Sequence, residues 1–489
     1  MIEMAENNSL KVAIVGGGIA GATIAIYLSE LGIDVSLLEK GPSLVNGPPI
    51  CHLHAGGNLY PEISDQQCLT LLAQSIDILR LYPHACDYRP TVIAVPKNHS
   101  STPQELLPRL NKLRNEYQRL IDQDIANKQL GESEAYYQLF ERHEVEWLAE
   151  QEVVEKPKTL QEWMIPVAKN IELDKLQFPL IMVQEYGLNL FRLAATAGLV
   201  LQENRHCQLF MNSHVGDIHP LPNNGGWQID FLQVDQEKQL KVDYLINAAG
   251  FRTGIIDDML GFKRQRLVEF KAAYVTHWNE NNYCWPEVIF YGERGTPNGM
   301  AQLTPYPEGH FQLHGMSQNI TLFKDGLVAS TVQSAQPKLG NDFINKIDKS
   351  WAENEINLRS QSAIDHLAAF IPRFSSATIA SKPLFGAQQI PGGDPSLRAS
   401  DVSFEGERYA RCEIVKASSV LTAADEIIEQ LIRSRLLSPE TSKKRDFKVT
   451  QQLKEVDILA YAQRLTEQRD YPMALADINV PARPRCEHG

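Results

Sequence analysis

The chain has 489 residues, 43% of them hydrophobic, and a net charge of -13. That length accommodates two or more domains with sizeable cores, and the acidic balance repels a phosphate backbone, which excludes nucleic acid as the expected partner. Seven scattered cysteines without a CxxC pair suggest neither a disulfide framework nor a zinc site; no metal is expected, and reduced thiols in a cytoplasmic protein are.

The N-terminal stretch MIEMAENNSL is polar and acidic, unlike a secretory signal. Residues 11–15, KVAIV, read as a short buried strand, and Gly16-x-Gly18-x-x-Gly21 follows at once. Ile19, Ala22, Thr23, Ile26 and Tyr27 then recur at helical spacing, and a second strand, IDVSLL at 33–38, ends at Glu39. This order predicts a dinucleotide site. Gly16 allows the tight turn, Gly18 lets a pyrophosphate approach bare backbone, and Gly21 lets helix and strand pack closely. The helix N-terminus offers unpaired N–H groups to the phosphates, Glu39 accepts from a ribose diol, and Lys40 beside it is a further candidate contact.

Next comes ICHLHAGGNLYPEIS, 50–64. Ala55, Gly56 and Gly57 leave room for a flat ring and offer amides to it, while His52 and His54 titrate near neutral pH. Residues 100–177 show helical periodicity with many charges, in ELLPRLNKLRNEYQRLIDQD and SEAYYQLFERHEVEWLAEQE, and read as a helical elaboration. The apolar stretch LIMVQEYGLNLFRLAATAGLVL is interrupted by Glu185, Asn189 and Arg192, so no transmembrane segment is expected; peripheral attachment to a membrane stays as an alternative.

From His214 the pattern is a meander: a strand, a turn at Asn223–Gly226, a strand at 227–233, a polar turn, and a last strand, KVDYLINAAG, ending in Ala248, Ala249 and Gly250. A nicotinamide-dependent dehydrogenase would continue with alternating strands and helices instead. Residues 270–318 alternate short aromatic and β-branched runs with turns, which predicts an antiparallel sheet. From Ser418 the positions Val420, Leu421, Ala424, Ile427 and Leu431 form one helical face, with Ser418 or Ser419 as N-cap. The tail beyond about 440 holds one more helix and a proline-broken end, with no functional assignment.

The VGGGIAG loop, the acid after the second strand, the late NAAG strand and the C-terminal strand–loop–helix together resemble the FAD-dependent oxidoreductases of the D-amino-acid oxidase type, over roughly residues 10–435. The HAGGNLYP stretch is similar to loops of L-2-hydroxyglutarate and glycerol-3-phosphate dehydrogenases, members of that superfamily along with glycine and sarcosine oxidases and, more distantly, malate:quinone oxidoreductase. The resemblance implies an α/β fold: a Rossmann-type FAD-binding domain with a β-meander (10–75, 178–262 and 378–436), an α+β substrate domain on an antiparallel sheet (76–177 and 263–377), and a C-terminal helical tail (437–489). It implies FAD held by Gly16, Gly18, Gly21, Glu39, Lys40, His54, Ala55, Gly56, Gly57, Val215, Ala248, Ala249, Gly250 and Ser418, with Val215 against the adenine and the closing helix aimed at the flavin's pyrimidine edge. Covalent tethering at Cys51, His52 or His54 is an alternative.

Tyr274, Thr304, Tyr306 and His314 are implied to face substrate. The catalytic candidates are His54 and His314 as bases and Arg252 and Arg398 for a substrate carboxylate, with Arg411 and Lys416 as further cations. Two departures stand out: Ala272 replaces a usual glycine, and Lys382-Pro383 stands where amine oxidases carry Arg-Pro. The redox CxxxxC of disulfide reductases and the late Gly-Asp of flavin monooxygenases are both missing, which favours simple dehydrogenation. The expected function is hydride transfer from a small 2-hydroxy acid or amino acid to flavin N5, with reoxidation by oxygen or a quinone-like acceptor. The alternative is an FAD-binding subunit or regulatory flavoprotein without its own dehydrogenase activity.

Overall fold

The computed structural model describes residues 10–47, 63–279, 283–398, 401–441 and 447–479. Its centre is a six-stranded sheet. The apolar run Lys11–Val15 lies mid-sheet, paired in parallel with Asp34–Leu38 on one side and Tyr244–Asn247 on the other. Cys207–Phe210 extends one edge; Tyr409–Glu413 and then the antiparallel Asp401–Glu405 extend the other. The helix Ile19–Glu30 crosses between the first two strands and is buried on nearly all sides, as a parallel sheet covered on its faces requires.

The meander Ser213–Pro220, Trp227–Gln233 and Gln236–Val242 is a separate antiparallel sheet. The stretch read as one last strand is in fact two, because the chain changes sheets at Asp243. Its amide donates to the Lys11 carbonyl (2.9 Å), and its Oδ2 accepts from the Lys11 amide (2.9 Å). Val215, Ile218, Ile229 and Phe231 pack against Ala13, Val15, Leu38 and Leu245, which seats the meander on the central sheet.

A second sheet has ten strands. Arg266–His277 is its long spine, flanked by His310–Gly315 and Leu384–Pro391. Ala301–Pro305, Glu287–Phe290, Thr91–Ala94, Leu180–Val183 and Tyr137–Phe140 follow outward. The sheet is antiparallel apart from the Glu287–Phe290 and Thr91–Ala94 pair, which is parallel. Helical periodicity is realised at Leu107–Gln123 and Arg142–Ala149, but Tyr137–Phe140, expected to be helical, is an edge strand. Its aromatic residues and its pairing with Leu180–Val183 override the charge pattern around it. The apolar stretch near residue 190 divides into that strand and the helix Leu190–Glu203. Among the described residues no helix is long and apolar enough to cross a membrane.

An ion network with a buried centre, Asp257, Arg266, Arg411 and Glu413, joins the two sheets. Asp257 lies on the short helix after the NAAG strand. It binds Arg266 from the spine of the large sheet and Arg411 from the central sheet (2.5 Å), and accepts from the Tyr409 hydroxyl (2.7 Å). Glu413 binds Arg266 (2.7 Å) and Arg264 (2.5 Å). Removing one member leaves the others charged in a dry interior, which costs about 3–5 kcal/mol. Asp257→Ala is therefore expected to lower the denaturation midpoint by an amount on that scale, read by chemical denaturation; a wild-type midpoint would show that the network does not hold the sheets together.

Candidate active site

The first turn is shaped by close backbone approach. Gly16 has φ +106°, and a Cβ there would collide with the Ala248 carbonyl oxygen of the neighbouring strand. A Cβ on Gly21 would collide with the Gly16 carbonyl, whereas beyond Gly18 there is open space. Gly18 is the N-cap of the crossover helix; no side chain caps that end and no acid lies in its first turn. Its first amides therefore face a cleft with open coordination, which suits the phosphates of a dinucleotide.

Glu39 ends the second strand, and its carboxylate is held by two amides: Oε2 accepts from Gly17 and Oε1 from Gly41, both at 2.7 Å. That leaves lone pairs for a ribose diol and fixes their direction. The Glu39 carbonyl accepts from the Ser213 amide (2.8 Å), two residues before Val215, so meander and acid lie side by side. After Glu39 the chain folds back: the Val45 amide donates to the Gly17 carbonyl (2.9 Å), and Val45 has φ +54°. A β-branched residue in that region is an outlier, and such strain costs about 1–3 kcal/mol. Lys40 and Arg252 share Asp348, at 3.6 and 2.9 Å.

A cleft of about 1160 Å³ runs from this loop into the space between the sheets. Pockets for a single small ligand are about 300–1,000 Å³, so a cofactor and a substrate fit together. One end is lined by Gly18, Val45, Ala248 and Gly250, the other by Lys271, Arg294, Gln302, His314, His366 and Arg398. Val415, Lys416 and Ala417 line it just before the helix Val420–Arg433. Gln388 ties that segment to the large sheet by donating to the Val415 carbonyl (2.7 Å).

The far end is cationic. Glu269 and Lys271 alternate along the spine with Val268, Phe270, Ala272 and Tyr274, whose side chains belong to the core behind the sheet. Lys271 Nζ lies 2.9 Å from Glu269, and Arg294 binds the same carboxylate. Burial lowers the Lys271 pKa, although Glu269 opposes the shift. Burial pushes Glu269 up, but Lys271 and Arg294 more than offset it and hold the carboxyl below its ordinary range. Arg398 is 8% exposed and donates to the Pro395 and Leu397 carbonyls. His366 Nε2 is 2.8 Å from the Gly299 carbonyl, a contact that as a donor leaves Nδ1 as the acceptor.

The sequence candidates divide. Gly18, Ala248, Gly250, His314, Arg398 and Lys416 line the cleft; Gly16, Gly21, Glu39 and Ala249 lie at the glycine turn beside it, and Val215 lies in the core between the meander and the central sheet. Cys51, His52, His54, Ala55, Gly56 and Gly57 lie outside the described residues. Four readings are corrected. Tyr274 faces the opposite core, with its hydroxyl donating to the Ile320 carbonyl (2.7 Å). Arg411 is taken up by Asp257 and Glu405. Arg252 pairs with Asp348 and is not among the residues lining the cleft. Ser418, expected at the cofactor, is buried and is not among the residues lining the cleft, whereas Ser419 holds the N-cap position of Val420–Arg433 as expected but without a side-chain cap bond, its hydroxyl donating to Gln74. Lys271, Arg294, Gln302 and His366 were missed. The alternation in RLVEFKAAYVTH was the available signal for Lys271, since it places Glu269 and Lys271 opposite the apolar row.

A glycine-loop nucleotide site joined by a cleft to a large antiparallel sheet defines a two-part, dinucleotide-dependent α/β fold. Residues 11–177, about a third of the chain, match the sequence model of the family DAO, FAD dependent oxidoreductase. A curated relative, the FAD-dependent monooxygenase esdpE of Penicillium shearii, is 32% identical over 125 residues, which is 25% of this chain and 26% of that protein. Glycine oxidase from Geobacillus kaustophilus has a similar fold, with a TM-score of 0.56 at 13% identity over 87% of this chain and 95% of that one. Glycerol-3-phosphate dehydrogenase from Bacillus halodurans, solved with FAD, has a TM-score of 0.53 at 12% identity over 96% and 74%. Glu39→Ala removes both amide acceptors and the ribose acceptor, so the purified variant is expected to carry little flavin; visible absorbance relative to protein absorbance reads this, and full occupancy would refute the assignment.

Proposed function

We propose that the chain is an FAD-dependent dehydrogenase or oxidase of a small anionic substrate, a 2-hydroxy acid or an amino acid. The observation that carries this reading is the cleft itself, which connects the glycine loop to a far end where Lys271 of the large sheet meets Arg294 and Arg398 from loops. Glycine oxidase and glycerol-3-phosphate dehydrogenase, which share the fold, are named for small substrates that carry a carboxylate or a phosphate, and this supports the reading without selecting between them. FAD, when bound, accepts two electrons as hydride from the substrate carbon.

The chain's own residues have separable roles in this scheme. Gly18 and the amides of the crossover helix bind the pyrophosphate, and Glu39 takes the ribose. Lys271, Arg294 and Arg398 orient the substrate anion, with Gln302 and Gln388 completing the polar wall. His314 or His366 accepts the proton released from the substrate hydroxyl or amine. Phe251, Tyr291, Met300 and Phe370 form apolar lining that excludes water from the reacting carbon.

Two measurements test the reading. Anaerobic addition of a panel of 2-hydroxy and amino acids to the yellow protein is expected to bleach the flavin with at least one class, and subsequent oxygen or a quinone restores the colour according to the acceptor used. Bleaching by none, with flavin retained, would refute the enzyme and favour a non-catalytic flavoprotein. The second test is the pH dependence of acetate binding, followed through the flavin spectrum. Lys271 is already easier to deprotonate than usual, so affinity falls as pH rises through its lowered pKa. Glu269→Gln removes the carboxylate that keeps Lys271 charged, and the loss should begin at lower pH than in wild type. An unshifted profile would remove Lys271 from the anion site.

A further inference from the structure

The tail after residue 447 lies beyond residues 10–435, the part of the sequence that resembles known flavoenzymes, and it is bound to the cofactor half at two places. Asn189 and Arg192, at the start of the apolar helix Leu190–Glu203, form the first. Asn189 donates to the Leu475 and Asp477 carbonyls, and Arg192, 1% exposed, binds the Ala476 carbonyl (3.0 Å), Glu455 (2.5 Å) and Asp477 (3.2 Å). Farther along the same helix, Gly198 lets the Tyr461 ring lie close: a Cβ there would be 2.9 Å from its hydroxyl oxygen.

The second place is the nucleotide loop. Arg469, at the end of the tail helix Glu455–Gln468, reaches back more than 400 positions in sequence to Ser43–Val45. Its Nη2 donates to the Leu44 carbonyl (2.8 Å) and the Ser43 hydroxyl (3.0 Å), and its Nη1 donates to the Val45 carbonyl (3.1 Å). These are the residues that fold over Gly17: Val45 is in the left-handed conformation, its amide is on the Gly17 carbonyl, and it lines the cleft beside Gly18. Burial brings the Arg469 pKa down to about 10, an effect that the nearby Glu39 charge partly opposes. The hydrogen bonds of Arg469 go to neutral acceptors, so this buried cation can favour a further anion nearby.

We propose that Arg469 is a positioning residue for FAD: the tail latches the Ser43–Val45 loop closed over the glycine turn and supplies a buried positive charge toward the pyrophosphate. This rests on the FAD-dependent reading above. It assigns the tail a role in cofactor retention rather than in the reaction.

The test uses full-length protein freed of flavin and titrated with FAD, with binding followed by flavin fluorescence and the melting temperature of the flavin-free protein measured in parallel. Arg469→Met is expected to weaken FAD binding about tenfold or more, with the flavin-free melting temperature near wild type. Arg469→Lys keeps the charge but carries its donors on a single nitrogen instead of a planar fork, so it should bind with intermediate affinity; it carries the test if the Met variant does not fold. Equal FAD affinity in wild type and the folded variants, with or without a lower melting temperature, would overturn the proposal. Wild-type protein that takes up no FAD would instead overturn the reading beneath it.

Discussion

Asp257 is the point through which the two halves of the molecule are placed. Its two carboxylate oxygens are divided between Arg266 of the large sheet and Arg411 of the central sheet, and the Tyr409 hydroxyl adds a third bond. The cleft lies between those sheets, so its width depends on a carboxylate that touches neither cofactor nor substrate. A charged joint is a costly way to fasten two layers, because desolvation offsets much of the attraction. What it adds is direction. Apolar surfaces can slide by a residue with little penalty, whereas directional arginine–carboxylate contacts tolerate little displacement.

The nucleotide half was legible because its determinants are local. The strand Lys11–Val15, the turn, the helix from Ile19 and the strand ending at Leu38 all fall where hydrophobic period and glycine spacing put them. The closing helix was readable on the same grounds, and all five apolar positions assigned to its inner face are buried. The substrate half was less legible because its determinants are pairings. Tyr137–Phe140 is a strand only because Leu180–Val183 lies beside it. Residue type announced that arginines mattered, but not which ones were already bound. Arg411 meets Asp257 from 154 positions away and Arg252 meets Asp348 from 96, distances across which a sequence carries no partner information.

The apolar helix Leu190–Glu203 makes the same point in another form. Alone, its sequence invites comparison with a membrane segment. In the fold, one side packs on the crossover helix and the other is covered by the tail, through Ile458, Ala462, Leu465 and Leu475. A helix that is apolar all round needs cover on every side. The cover here comes from a segment more than 250 positions later, and Arg192, one of the polar residues that argued against a membrane span, is the buried anchor that holds it.

Net charge shows most clearly how a correct whole-chain number can mislead about a site. The chain carries -13, and on that basis a phosphate-bearing ligand looks unwelcome. Yet both ends of the cleft favour anions. The nucleotide end has uncapped helix amides with Arg469 behind the loop; the other end has Lys271, Arg294 and Arg398 around a single shared carboxylate, Glu269. Low-dielectric walls concentrate that local field, while the acidic exterior is screened by salt within about 10 Å. An anion approaching from bulk solution therefore meets weak repulsion outside and a favourable local field within.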